Sequence, residues 1–172
     1  CFKFVYKVIF SIHIYMHDTV KNLFDIQNNI KMHLNKLNIL KNPKIVAVSK
    51  TFTIDKIIPL IEYGHLDYGE NKVQEAIEKW TEVKKNNSSI RLHMVGKLQT
   101  NKVKFAVKIF DYIHSVDSEK LAKKIADEQN KINKKIKIFL QVNIGDENQK
   151  SGINKNEIET LVIYCKEIGL DV

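Results

Sequence analysis

The sequence predicts a parallel α/β fold, and three observations carry that expectation. Short apolar runs alternate with longer segments of 3.6-residue period, five times over, along the 172-residue chain. The first run, residues 44–48 (KIVAV), is almost continuously apolar, as a strand buried on both faces would be. Helix stops stand where the alternation needs them, with Gly64 and Gly169 directly after apolar-periodic segments. At 44% hydrophobic and 28% charged residues, the chain can build a packed core.

Taken in order, residues 18 to about 40 place Val20, Leu23, Phe24, Ile30, Leu34 and Leu37 at helical spacing, with Asp18 as a cap. Residues 53–63 set Ile54, Ile57, Ile58 and Ile61 on one stripe. A short strand at Asp67–Glu70 leads into a helix with Val73, Ala76, Ile77, Trp80 and Val83 on one face. Residues 91–95 form the third strand, followed by a polar helix beginning near Gln99. Tyr112–Val116 is the fourth strand, and Ser118 starts a helix that buries Leu121, Ala122, Ile125 and Ala126. Residues 136–144 make the strongest strand. A last helix carries Ile158, Leu161, Val162, Cys165 and Ile168, and residues 170–172 open another strand. The polar run at 146–150 and Ser151-Gly152 read as a loop.

Two architectures fit this alternation: an open doubly wound sheet or a (β/α)8 barrel. No GxGxxG follows the first strand, so the dinucleotide fold lacks its fingerprint. A barrel typically takes about 250 residues; a barrel here would be incomplete. Residues 1–15 (CFKFVYKVIFSIHIY) are too short and too interrupted by Lys3, Lys7 and His13 to span a bilayer or to act as a signal peptide. They read as an upstream extension preceding a start at Met16, with 16–172 as the domain. No membrane association is expected.

The formal net charge of +8 raises the question of nucleic acid. Twenty-seven of the 28 basic residues are lysine, and Arg91 is the single arginine. Arginine's planar fork is the preferred tool for phosphate and base recognition, so the charge reads as solvated surface. Cys1 and Cys165 supply neither a disulfide framework nor a paired metal-ligand spacing. Cys165 falls on an apolar helix stripe and reads as packing.

Chemistry in either architecture sits at the C-terminal ends of the strands. Those ends carry Ser49-Lys50-Thr51, Gly69-Glu70-Asn71, His93 with Gly96, and Gln141 with Asn143. Alternation puts Lys50 on the face of Val46 and Val48. If that face points inward, desolvation favours a neutral amine able to attack a carbonyl; otherwise Lys50 is a lysine snorkelling from a strand end. Asn71 could donate to a ligand oxygen or cap the following helix. His93 could contact a ring or be a satisfied core histidine.

Several segments together resemble one family. They are Ala47-Val48-Ser49-Lys50-Thr51; Tyr68-Gly69-Glu70-Asn71 with Val73-Gln74-Glu75; His93-Met94-Val95-Gly96 with Leu98-Gln99-Thr100-Asn101-Lys102; Val116-Asp117-Ser118; and Gln141-Val142-Asn143-Ile144 with Lys150-Ser151-Gly152. In order and spacing they are similar to the motifs of the pyridoxal phosphate homeostasis protein (YggS/PROSC) family, from about residue 18 onward. The resemblance implies an α/β (β/α)8 TIM-barrel domain like the N-terminal domain of alanine racemase. It implies pyridoxal 5′-phosphate at the C-terminal rim, Lys50 as the Schiff-base lysine, and Asn71 and His93 lining the pocket. It further implies a cytoplasmic, monomeric binding protein that hands cofactor to pyridoxal-phosphate-dependent apoenzymes and has no catalytic reaction of its own. The Gly-Ser-Thr and Met-Gly-Met-Ser-like phosphate-binding segments of that family find no match here, so the sequence reads as a C-terminally truncated member. The alternatives are a racemase-like pyridoxal phosphate enzyme and a basic nucleic-acid-binding domain.

Overall fold

The computed structural model describes residues 17–145 and 151–172. The expectations for residues 1–15, Met16 and the 146–150 loop lie outside the described residues. The chain divides into two compact units, residues 17–44 with 52–65 and residues 45–51 with 66–172.

The first unit holds helices α1 (Asp18–Lys36) and α2 (Ile54–Glu62), which pack against each other. Val20, Leu23 and Ile57 are its buried apolar side chains. The N-cap of α1 is His17 rather than Asp18, its Nδ1 accepting from the Thr19 amide at 3.3 Å. The helix also stops short of residue 40. Asn38 turns into the left-handed region (φ 54°), and the Ile39 and Asn38 amides close back on the Leu34 and Asn35 carbonyls. Asparagine tolerates that conformation, and the two bonds satisfy carbonyls a helix end otherwise leaves open. Leu37, counted on the helical stripe, is therefore exposed. Gly64, at φ 95°, ends α2 as expected.

The second unit is a five-stranded parallel sheet with its helices. Its strands are β1 (Ala47–Val48), β2 (Asp67–Glu70), β3 (Arg91–Met94), β4 (Tyr112–Val116) and β5 (Lys137–Leu140). Neighbouring strands in the sheet are neighbours in the sequence throughout. A doubly wound sheet reverses its order at a switch point, and none occurs here. This is the winding of a (β/α) barrel, and it selects between the two architectures left open above. It continues past β5: the Ile138 amide donates to the Asp171 carbonyl at 2.8 Å in a parallel bridge. Residues 170–172 thus begin the sixth position.

One face of the sheet is the core. Tyr68, Leu92, Met94, Ile113 and Ile138 are buried there, together with helices α3 (Val73–Asn86), α4 (Val103–Ile109), α5 (Glu119–Lys131) and α6 (Ile158–Glu167). Consecutive helices pack on one another. Their buried stripes are Val73, Ala76 and Trp80; Val103, Ala106 and Val107; Leu121, Ala122, Ile125 and Ala126; and Leu161 with Cys165. Ser118 caps α5, accepting from the Leu121 amide. The expected polar helix is corrected: Gln99–Lys102 lie before or within a 3-10 turn (Thr100–Lys102), and α4 itself starts at Val103 and is mostly buried.

β1 and β5 are shorter than their apolar runs. Among the described residues β1 pairs only with β2, and Val48 is 47% exposed, so this strand is not buried on both faces. Beyond Leu140 the backbone is taken by the returning chain: the Ile153 amide donates to Gln141 and the Asn143 amide to Ile153, both at 2.9 Å. Gly152 (φ 130°) makes that approach possible, since a Cβ there would lie 2.7 Å from the Asn143 nitrogen.

Leu92 lies in the central strand and is fully buried. Leu92→Ala is expected to lower unfolding free energy by about 2–5 kcal/mol in urea titration; a loss of less than about 1 kcal/mol would contradict the assigned core.

Candidate functional site

Register brings the strand ends together. Val48 pairs beside Gly69, and Gly69 beside His93. Lys50 follows Val48 by two residues, in a turn just past the end of β1, and Asn71 directly follows β2, so both stand at the C-terminal ends of neighbouring strands. The face is confirmed at Gly69, whose added Cβ would meet Val46 Cγ1 at 3.2 Å, Val48 Cγ2 at 3.3 Å and Val95 Cγ1 at 3.4 Å. Gly96 seats Asn71 tightly: a Cβ on it would stand 2.4 Å from the Asn71 carbonyl oxygen. Val46, Val48, Gly69 and Val95 therefore share one side of the sheet with His93, the strand partner of Gly69.

Their individual settings differ from expectation. Lys50 is exposed, as is Val48, so the described residues do not supply the apolar shelter anticipated for its amine. Lys50 makes no ion pair or side-chain hydrogen bond among the described residues. Asn71 is half-buried and does not cap α3; the N-cap position is Lys72, without a side-chain bond. Asn71 instead lines a cavity of about 320 Å³ with Lys72, Gln74, Lys97, Gln99 and Lys102.

His93 is a satisfied core histidine on the site face. It is 4% exposed, and its Nε2–H donates to Asp67 Oδ1 at 3.0 Å. A carboxylate only accepts, so the neutral His93 ring has Nδ1 as its acceptor. That nitrogen lies 2.9 Å from His114 Nε2, which must carry the donated proton. Arg91 grips the other side of Asp67, Nε to Oδ1 at 2.6 Å and Nη2 to Oδ2 at 2.5 Å. Tyr112 stacks on His93 with ring centres 4.3 Å apart, and Phe139 stacks on His114 at 4.4 Å. Arg91 holds the Asp67 carboxyl down to about 2, against its desolvation. Burial pushes His93 below the ordinary histidine range, opposed by Asp67, and burial does the same to His114.

Asp67, Arg91, Tyr112 and His114 were not singled out from the sequence. Their signal was the polar half of the alternation, Asp67-x-Gly69, Arg91-x-His93 and Tyr112-x-His114, facing away from the apolar half. Glu70, named in the sequence only as part of a strand end, is fully buried. Its Oε1 accepts from Ser49 Oγ at 2.8 Å, Lys79 Nζ at 2.9 Å and Trp80 Nε1 at 3.0 Å. Cys165 is fully buried, its thiol pushed up by burial. Among the described residues no cluster of His, Cys, Asp or Glu could hold a metal, and no helix is long and apolar enough to cross a membrane.

Comparison with known proteins places this geometry. The model of the alanine racemase N-terminal domain family matches residues 22–172. The pyridoxal phosphate homeostasis protein of Pasteurella multocida is 34% identical over 139 residues, which are 80% of this chain and 60% of the relative. The structure of PipY from Synechococcus elongatus without pyridoxal phosphate superposes with a TM-score of 0.69 at 31% identity, covering 83% of this chain and 66% of PipY. The pyridoxal-phosphate-bound PipY structure gives 0.61 at 33% identity, covering 77% and 63%. The chain thus spans about 60% of the length of the Pasteurella multocida relative.

The depressed histidines fix the sign of a pH effect. With folded values below the unfolded 6.5, the unfolded chain binds more protons as pH falls through that window, and stability falls with it. The urea midpoint is expected to decline between about pH 7 and pH 5, and His93→Gln with His114→Gln to flatten the decline. An equally steep decline in the double variant would contradict the assignment.

Proposed function

Because the chain belongs to the alanine racemase N-terminal domain family, we propose that it binds pyridoxal 5′-phosphate through Lys50 and serves vitamin B6 homeostasis. One observation supports the reading: β1 and β2 are register partners, and an unengaged lysine follows the end of the first as Asn71 follows the end of the second, at the C-terminal rim. When bound, the cofactor supplies an aldehyde carbon, and an amine bonds to it with loss of water. The residues present fit such a group. Lys50 offers the amine without an ion pair to break. Asn71 offers an amide for a ring or phosphate oxygen, and the half-exposed Phe139 ring offers planar surface for a pyridine ring.

Holding the cofactor, rather than turning over a substrate on it, is supported by the names of the relatives, which are called homeostasis proteins. Racemisation needs an acid–base group on each side of a substrate carbanion. Lys50 would supply one of them. On this reading the recipients are pyridoxal-phosphate-dependent apoenzymes of the cytoplasm.

Titration of the protein with pyridoxal phosphate is expected to give a saturable change in the cofactor's visible absorbance. Lys50→Ala is expected to abolish it, whereas Lys135→Ala, at an exposed lysine before β5, leaves it within about twofold. A change that survives Lys50→Ala would remove Lys50 from the reading.

A further inference from the structure

Lys50 sits between two peptide groups that are both held by side chains of α3. The Ser49 carbonyl, in the peptide before Lys50, accepts from Lys79 Nζ at 2.8 Å. The Thr51 amide, in the peptide after it, donates to Glu75 Oε1 at 2.7 Å. Lys79 and Glu75 are themselves paired, Nζ to Oε1 at 3.0 Å, one turn apart on the helix. The third Lys79 proton goes to the fully buried Glu70 at 2.9 Å. All three ammonium protons are thereby committed, and the ammonium cannot swing away without leaving Glu70 buried and uncompensated.

Thr51 shows what this arrangement holds in place. Its φ is 65°, a left-handed conformation that a β-branched residue avoids. Such a conformation persists only where its surroundings impose it. Here the imposing contact is the Glu75 carboxylate on the Thr51 amide. Fixing the peptide planes on both sides of one Cα fixes the direction in which its side chain leaves the backbone.

We propose that Lys79 and Glu75 are positioning residues for Lys50: they clamp its two flanking peptides and so aim its side chain across the strand ends. The proposal rests on the reading of Lys50 as the cofactor amine, but the clamp can be measured without cofactor. The buried Glu70–Lys79 pair anchors the clamp, and Glu75 is its solvent-side jaw.

Glu75→Ala and Glu75→Gln separate the possibilities, because glutamine keeps an oxygen that can accept from Thr51 and alanine does not. Glu75 is partly exposed, so neither variant removes core. Hydrogen exchange at the Thr51 amide is expected to quicken about tenfold in Glu75→Ala and to return near wild type in Glu75→Gln. The rate of cofactor uptake by Lys50 is expected to fall about tenfold in Glu75→Ala and to recover in Glu75→Gln. Acylation of Lys50 by acetic anhydride makes no comparable demand on direction and is expected to stay unchanged. Unchanged Thr51 exchange in Glu75→Ala, or slowed uptake equally severe in both variants, would overturn the clamp. Thr51 exchange that responds as expected in a protein whose wild-type form takes up no cofactor would uphold the clamp and refute the cofactor reading alone.

Discussion

A single buried carboxylate organises the end of the sheet. Glu70 is removed from water entirely, and one of its oxygens, Oε2, has no protein partner. An ion so placed is tolerable only with a counter-charge and hydrogen bonds at hand. Lys79, Trp80 and Ser49 supply them, two from helix positions and one from the residue that follows β1. Breaking such a pair by deleting one partner typically costs about 3–5 kcal/mol, so the arrangement resists rearrangement. It ties β1, β2 and α3 into one piece, and the strand end that bears Lys50 inherits that rigidity.

The rest of the unit follows from the period of two along each strand. On one face Tyr68, Leu92, Met94, Ile113 and Ile138 pack under helices α3 to α6, with Glu70 the buried charge among them. On the other the same strands carry Asp67, Arg91, His93, Tyr112 and His114, linked by hydrogen bonds and stacked rings. Asp67 stays ionised because Arg91 holds it, and that charge fixes which nitrogen of His93 donates. The tautomer of His114 follows from the tautomer of His93. The sheet thus joins an apolar layer that supplies stability to a polar layer whose proton positions are set by connectivity.

Much of this could be read from the residues. The β2 and β4 boundaries, the α5 stripe and its Ser118 cap are decided by local chemistry, and the alternation of strands and helices announces the winding. Misreadings arose where non-local contacts decide. Asn38 ends α1 through a left-handed turn that apolar spacing does not reveal. The chain returning at Ile153 shortens β5, although residues 136–144 are apolar enough to run on. Around the site, Lys50, Asn71 and His93 stand out by position, but the partners that hold them do not. Asp67 and Arg91 are 24 residues apart, as are Thr51 and Glu75; parallel pairing of β2 with β3 brings the first pair into contact, and α3 reaching the end of β1 brings the second. The shelter expected around Lys50 was inferred from Val46 and Val48 alone, and that face is open at Val48.

The central claim is that register, rather than lysine abundance, selects one amine among the 27 of the chain. Borohydride trapping of bound pyridoxal phosphate, followed by peptide mapping at substoichiometric cofactor, measures that selection directly. Label is expected to concentrate on the peptide containing Lys50. Label spread over the surface lysines in proportion to their exposure would contradict it.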